Sequence, residues 1–383
     1  MIELGISLKA INGPAIIEPK DRFRHCYVIG KTQTGKSTYF LNLINQEIEH
    51  AHIILDPAGT FADAVATLTP KDRLIYVDKN HPLTINPLRR KATRSEIANQ
   101  FIEVVNNCVT GSTPSIEMTV LMGEIVRNAI RVLTPEHLEI DYLANFLNYT
   151  QYRDFYRDDD YWKHFDDTDK KGWYIHREKR DSAQRVGARL SAFILDENLK
   201  RFTIGKNQLD VKEIVDNKKI VCFNLKGFDN DLMLYIGNLI TTAVKSYYMH
   251  EATTESEPLF LYADEWQNFL SPAFNNMLAE CAKFKISVNL SHQTFGQTNP
   301  KTLNIVLGNA YAKVAFNCGY EEAEKLSKDF QVSPKEFLNL KRYEALILIG
   351  NDTHHVLTFP PPDVNSYQPK PAINFLRDEW IKA

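Results

Sequence analysis

At 383 residues, 44% hydrophobic and 24% charged, the chain can bury a large core and has the make-up of an ordinary globular protein, which excludes fibrous and low-complexity classes. Its net charge of −3 gives no global basic character, so any contact with nucleic acid has to come from a local cluster such as a pore lining. The five cysteines (Cys26, Cys108, Cys222, Cys281 and Cys318) are odd in number and never spaced as CxxC, which predicts reduced, mostly buried thiols in a cytoplasmic protein and offers no metal framework. No apolar run reaches the roughly 18 residues a membrane helix needs, and Met1–Ala10 lacks the basic start and apolar stretch of a signal peptide.

From residue 23 onward, short apolar runs alternate with amphipathic stretches. Residues 24–29 read as a buried strand, and 36–48 as a helix with Phe40, Ile44 and Ile48 on one face. Residues 52–55 form a second strand closed by the turn Asp56-Pro57-Ala58-Gly59, and 73–77 a third. Strands alternating with helices predict an α/β fold with a mostly parallel sheet covered on both faces. From 93 to 150 the periodicity is purely helical, carried by Ile97, Phe101, Val104 and Val105, then Val120, Leu121, Ile125 and Ile130. Residues 151–181 are dense in charge and aromatics and read as a solvated part of the same insert. Alternation then resumes with a helix at 182–195 and strands at 219–225, 259–263, 286–290, 311–316, 345–349 and 355–359. His354 and His355 read as a solvated pair on an edge strand. The expected division is a first part of the core at 1–90, an all-helical insert at 91–181, a second part of the core at 182–359 and an extended tail at 360–383.

Gly30-Lys31-Thr32-Gln33-Thr34-Gly35-Lys36-Ser37, followed by Thr38, satisfies GxxxxGK[ST] between a strand and a helix, the context a phosphate cradle requires. Its glycines let backbone N–H groups converge on phosphate oxygens, Lys36 is expected to bridge the β and γ phosphates, and Ser37 to offer its hydroxyl to Mg²⁺. The apolar run 259–263 ends in Asp264-Glu265, carboxylates at the C-terminal end of a strand, where open α/β sheets bind ligands. Asp264 is expected to hold the metal through water and Glu265 to polarise the attacking water. Gln293, ending the next strand, is the candidate sensor, placed to hydrogen-bond the γ-phosphate or the attacking water, with His292 beside it structural. Lys36 and Asp264 are separated by far more chain than a minimal core needs, and the helical insert fills that gap.

These motifs resemble the HerA/FtsK superfamily of ring ATPases, and within it the type IV secretion and conjugation coupling proteins of TraG/TraD type. The stretch Tyr27-Val28-Ile29-Gly30-Lys31-Thr32 looks like that family's Walker A strand, Asp56-Pro57-Ala58-Gly59 like its DPxG motif, and Ile85-Asn86-Pro87-Leu88 like its NPL motif. Asp264-Glu265-Trp266-Gln267-Asn268-Phe269 is similar to its DE and aromatic-rich turn, and Ser291-His292-Gln293 to its strand-end glutamine. The resemblance implies a RecA-like P-loop fold, ATP and Mg²⁺ as cofactors, and a homo-oligomer, a hexamer in that family, which threads DNA through a central pore. It also implies an arginine supplied by the neighbouring subunit, for which Arg185, Arg189 and Arg342 are the candidates. Lys226, Lys283 and Lys285 are candidates for sequence-independent contact with the DNA backbone. Family coupling proteins carry N-terminal transmembrane helices and this sequence shows none, so a membrane channel or a relaxase-like protein would be a partner rather than part of the chain. A motor acting on a protein cargo, or a DNA-packaging ATPase, are the alternatives.

Overall fold

The computed structural model describes residues 1–8, 14–89, 91–108, 118–156, 177–269 and 272–362. At its centre lies an eleven-stranded sheet. In chain order the strands are β1 (Ile2–Ser7), β2 (Pro14–Ile17), β3 (His25–Ile29), β4 (Ala51–Asp56), β5 (Leu74–Val77), β6 (Ile220–Asn224), β7 (Leu259–Ala263), β8 (Ile286–His292), β9 (Ala310–Ala315), β10 (Glu344–Ile349) and β11 (Asp352–Leu357). They lie side by side as β2-β1-β11-β10-β9-β3-β8-β7-β4-β6-β5. Every pairing from β9 across to β5 is parallel, and β10, β11, β1 and β2 extend that block antiparallel.

Parallel neighbours need crossover connections, and these supply the helices on both faces. In order they are α1 (Pro19–Arg22), α2 (Lys36–Gln46), α3 (Thr60–Leu68), α4 (Arg94–Cys108), α5 (Val120–Val132), α6 (Ile140–Asn148), α7 (Arg177–Leu195), α8 (Glu197–Thr203), α9 (Val211–Asp216), α10 (Asn230–His250), α11 (Pro272–Glu280), α12 (Pro300–Asn309), α13 (Tyr320–Phe330) and α14 (Pro334–Leu338). Strand side chains alternate between two apolar cores. Tyr27, Ile29, Ile53, Leu55, Leu261 and Ala263 face the core shared with α10 and the insert. Val28, Ile54, Phe260 and Tyr262 face the other, against Phe40 and Ile44 of α2 and Phe61 and Ala62 of α3. A buried ion pair ties the segment ahead of β3 to the segment ahead of β4. Arg22 reaches Glu47 at 2.9 Å and donates to Asn289 Oδ1 at 2.8 Å and Tyr262 Oη at 2.6 Å.

Several expectations need correction. The N-terminal residues join the sheet: β1 pairs with β11 and β2 with β1, so β11, expected at an edge, is an interior strand. His354 and His355 are therefore half-buried rather than on an edge, and His355 lies 3.9 Å from the Glu344 carboxylate. The boundary expected at residue 181 falls inside one continuous helix, α7, which packs on α5 and α6, so the helical layer runs on through Leu195. Val120 was expected on the apolar face of its helix and is 88% exposed, because it opens α5 directly after the capping Thr119. In the stretch expected to be solvated, Arg153 and Tyr156 are buried, with Arg153 Nε donating to the Phe146 carbonyl at 2.7 Å across the end of α6. Residues 157–176 and 363–383, which include most of that stretch and of the expected tail, lie outside the described residues.

Candidate nucleotide site

The strand register decides where the motifs meet. Ile29 is opposite His292, Leu290 opposite Ala263, Ala263 opposite Leu55, and Asp56 opposite Asn224. All these strands end on one edge, so the loops that follow β3, β4, β7 and β8 open on the same shelf.

The glycine-rich loop is clamped from both sides. Lys31 N donates to the Asn317 carbonyl at 2.8 Å after β9, and Tyr343 N donates to the Thr34 carbonyl at 2.9 Å ahead of β10. A side chain at Gly30 would bring its Cβ within 2.7 Å of Phe316 Cβ, and Gly35 stands at φ +126, where a Cβ is strained, so both positions demand glycine. Lys36 is buried and its Nζ donates to the Gly30 carbonyl at 2.6 Å and to the Lys31 carbonyl at 3.2 Å. Burial lowers its pKa, opposed by the charges of Asp264 and Glu265.

Ser37 and Asp264, 227 positions apart in sequence, are in contact: Ser37 Oγ donates to Asp264 Oδ2 at 3.1 Å. The other oxygen, Oδ1, accepts from Ser291 Oγ on β8. Burial raises the Asp264 pKa, the Ser291 hydrogen bond works against the shift, and the nearby carboxylates of Asp56 and Glu265 add to it. A buried lysine thus needs an anion and a buried carboxylate a cation, side by side. The donor set fits Mg²⁺ held with a triphosphate, because Mg²⁺ takes one or two protein oxygens and completes its shell from phosphate and water. Among the described residues no group of three or more His, Cys, Asp or Glu could hold a metal without such help.

Glu265 follows at φ +46, a left-handed conformation unusual for a side-chain-bearing residue. Its Oε1 accepts from Gln293 Nε2 at 2.7 Å, and Gln293 Oε1 accepts from Thr32 Oγ1 of the phosphate loop at 2.9 Å. The loop, the strand-end amide and the carboxylate therefore form one chain of hydrogen bonds. His292 is buried: the Trp266 indole donates to its Nδ1, which puts the proton on Nε2, 3.2 Å from Tyr27 Oη. Burial lowers its pKa to about 3, so it is a neutral strut.

The two neighbouring motifs have structural explanations. Asp56 is buried and accepts from Ala58 N, Phe61 N and Ala62 N at 2.8–2.9 Å, capping α3. Asn86 is fully buried, donates to the Gly205 carbonyl at 2.9 Å and accepts from Leu88 N at 2.9 Å, fastening the chain before the insert to the chain after it. A cavity of about 590 Å³ borders Asn86, Arg89, Asp210 and Tyr247, but no residue of the phosphate loop lines it. The candidate nucleotide site is a shelf at the sheet edge, not that cavity.

The arginine and lysine candidates are dispersed. Arg185 is exposed on α7, and Arg189, half-buried on the same helix, lies with its guanidinium 3.8 Å from Met122 Sδ. Arg342 stacks on the Tyr343 ring at 4.8 Å, beside the phosphate loop of its own chain. Lys226 is exposed beyond β6 on the shelf edge, whereas Lys283 and Lys285 precede β8, at the opposite end of the strands. Gln267, whose amide reaches Glu265, carried no sequence signal beyond its place in the turn after the carboxylates.

The family model described as Helicase HerA, central domain matches residues 2–244. The chain belongs to that family. The match takes in the phosphate loop and the helical layer but ends before β7, so the Asp264–Glu265 strand of this HerA-family chain is joined to the loop by the fold. No curated protein matches in sequence. Among solved structures, VirB4 of Thermoanaerobacter pseudethanolicus superposes with a TM-score of 0.65 at 14% identity, covering 96% of this chain and 98% of that one. The plasmid coupling protein TrwB, in a structure with ADP and Mg²⁺, superposes with a TM-score of 0.69 at 14% identity, covering 97% of this chain and 91% of that one. At such identity the likeness is one of fold: a large, mostly parallel sheet with helices, shared with P-loop ATPases of this class. Among the described residues no helix is long and apolar enough to cross a membrane.

Proposed function

We propose that this chain is an ATP-hydrolysing motor that assembles as a ring, a hexamer in the family it resembles, and translocates DNA. The observation that supports the reading most is the Ser37–Asp264 contact at 3.1 Å, with Glu265 next in sequence and tied through Gln293 to the phosphate loop. TrwB has been captured with ADP and Mg²⁺ and with a non-hydrolysable ATP analogue, which favours the same ligands here. The N–H groups of Gly30 to Thr38 would cradle the phosphates, with Lys36 turning from the Gly30 carbonyl to the β and γ oxygens. Ser37 and Asp264 would hold Mg²⁺, which supplies charge neutralisation at the transferring phosphoryl group. Glu265 would accept the proton of the attacking water, and Gln293 would exchange its bond to Glu265 for one to the γ-phosphate. Arg185 and Arg189, on a helix away from the chain's own phosphate loop, suit donation to a neighbouring subunit, while Arg342 suits a contact within its own subunit.

DNA is the proposed cargo on the strength of family membership. The test is the steady-state ATPase rate with and without single- and double-stranded DNA across a salt series. Stimulation by DNA that fades steeply as salt rises is expected, since contacts to phosphates release counterions. A rate indifferent to DNA at every salt concentration, but raised by a partner protein, would contradict DNA translocation and favour a motor acting on protein.

A further inference from the structure

The turn after β7 fixes the backbone of Glu265 without fixing its carboxylate. The Glu265 carbonyl accepts from Asn268 N at 3.1 Å and from Asn268 Nδ2 at 2.9 Å, and Trp266 is buried with its indole on His292. These contacts hold the main chain in its left-handed conformation. The side chain is held by two amides instead. Gln293 Nε2 donates to Oε1 at 2.7 Å, and Gln267 Nε2 donates to Oε2 at 2.9 Å.

The two amides are not equivalent. Gln293 is also bonded to Thr32, so its position is tied to the phosphate loop. Gln267 has no such tie: it sits on the short 3₁₀ turn Trp266–Phe269 that Trp266 anchors. Its orientation is fixed by chemistry, because a flipped amide would set an oxygen against the carboxylate. In the orientation observed, Gln267 Oε1 is buried and has no hydrogen-bond donor among the described residues. Buried acceptors without donors are rare and call for an explanation. This one belongs to the amide that grips the candidate base.

We infer that Gln267 is a positioning residue for Glu265, an inference that rests on the reading of Glu265 as the base. Gln267 keeps Oε2 and the carboxylate plane in place while Gln293 leaves Oε1 for the γ-phosphate. Oε1 is thereby released to accept a proton without the side chain swinging out of line. Sequence offers no hint of this pairing, because the residues stand two apart on a turn whose geometry only the fold defines.

The test is a kinetic double-mutant cycle on the full chain. Gln267→Ala is expected to lower kcat roughly tenfold to a hundredfold, the worth of a charge-assisted hydrogen bond, with ATP affinity within about twofold of the unaltered chain. In a Glu265→Gln background the same substitution is expected to add no further loss in single-turnover hydrolysis, because the group it positions is gone. An unchanged kcat in Gln267→Ala, a loss of ATP binding, or losses that multiply in the double variant would each overturn the inference while leaving the base assignment standing. Normal turnover in Glu265→Gln alone would end the base assignment and this inference with it.

Discussion

At the scale of single residues, the sheet is built over three imidazoles that the fold keeps neutral. His25 Nε2 donates to the Leu278 carbonyl at 2.7 Å while its Nδ1 accepts from Val288 N at 3.1 Å. His52 Nε2 donates to the Glu47 carbonyl at 2.9 Å, and His292 is held between Trp266 and Tyr27. Burial lowers their pKa values to about 4, about 3 and about 3. The unfolded chain therefore takes up protons on these groups as pH falls below about 6.5, and the folded chain does not until far lower. Stability is full above that pH and is lost as pH falls toward 4, each site contributing up to about 1.4 kcal/mol per pH unit. Thermal midpoints recorded from pH 7.5 down to pH 5 should fall by several degrees; a flat series would mean that these histidines accept protons in place.

At the scale of elements, the turn after β4 shows how a motif can be structural. Asp56 caps α3, and Gly59 stands at φ +85 with Asn224 Oδ1 only 2.4 Å from where a Cβ would lie. Asp56→Ala should cost about 2 kcal/mol through the lost cap, and Gly59→Ala about 1–3 kcal/mol through strain and collision. Urea midpoints measure both, and no change in either would show that the turn relaxes freely. The parallel strands were legible in sequence because most carry a short, largely apolar run, as in 259–263. The glycine-rich loop and the strand-end carboxylates were legible as motifs because few residue types suit the chemistry proposed for them. What escaped has physical causes. β1 is stabilised by pairing with β11, near the other end of the chain, and β2 by pairing with β1 in turn, and no local pattern reports the distant partner. The helix α7 was cut at residue 181 because its first turn is highly charged, and burial of its later residues against α5 and α6 outweighs that composition. The place of Arg342 beside its own loop depends on the left-handed Tyr343 at φ +68, a non-glycine conformation that sequence does not betray.

At the scale of the whole molecule, the helical segment between β5 and β6 separates the two halves of the candidate site in sequence, and the sheet brings them together. β3 and β7 are brought together by β8, which lies between them, so the phosphate loop and the carboxylate pair are joined by neighbouring strands rather than by neighbouring sequence. Asn86, bonded across the base of the insert to the Gly205 carbonyl, fastens the two connections at the point where the chain leaves and returns. Asn86→Ala should leave the half-buried Gly205 carbonyl without its donor and Leu88 N without its acceptor, and cost about 1–3 kcal/mol, read as a lowered denaturation midpoint. An unchanged midpoint would place that fastening elsewhere.

The most direct measurement is ATP binding and ATP turnover side by side for the unaltered chain, Lys36→Ala and Glu265→Gln. Lys36→Ala should bind no nucleotide, and Glu265→Gln should bind it normally and hydrolyse it only at a residual rate seen in single turnover. Normal hydrolysis by either variant would contradict the assignment of this shelf as the catalytic site.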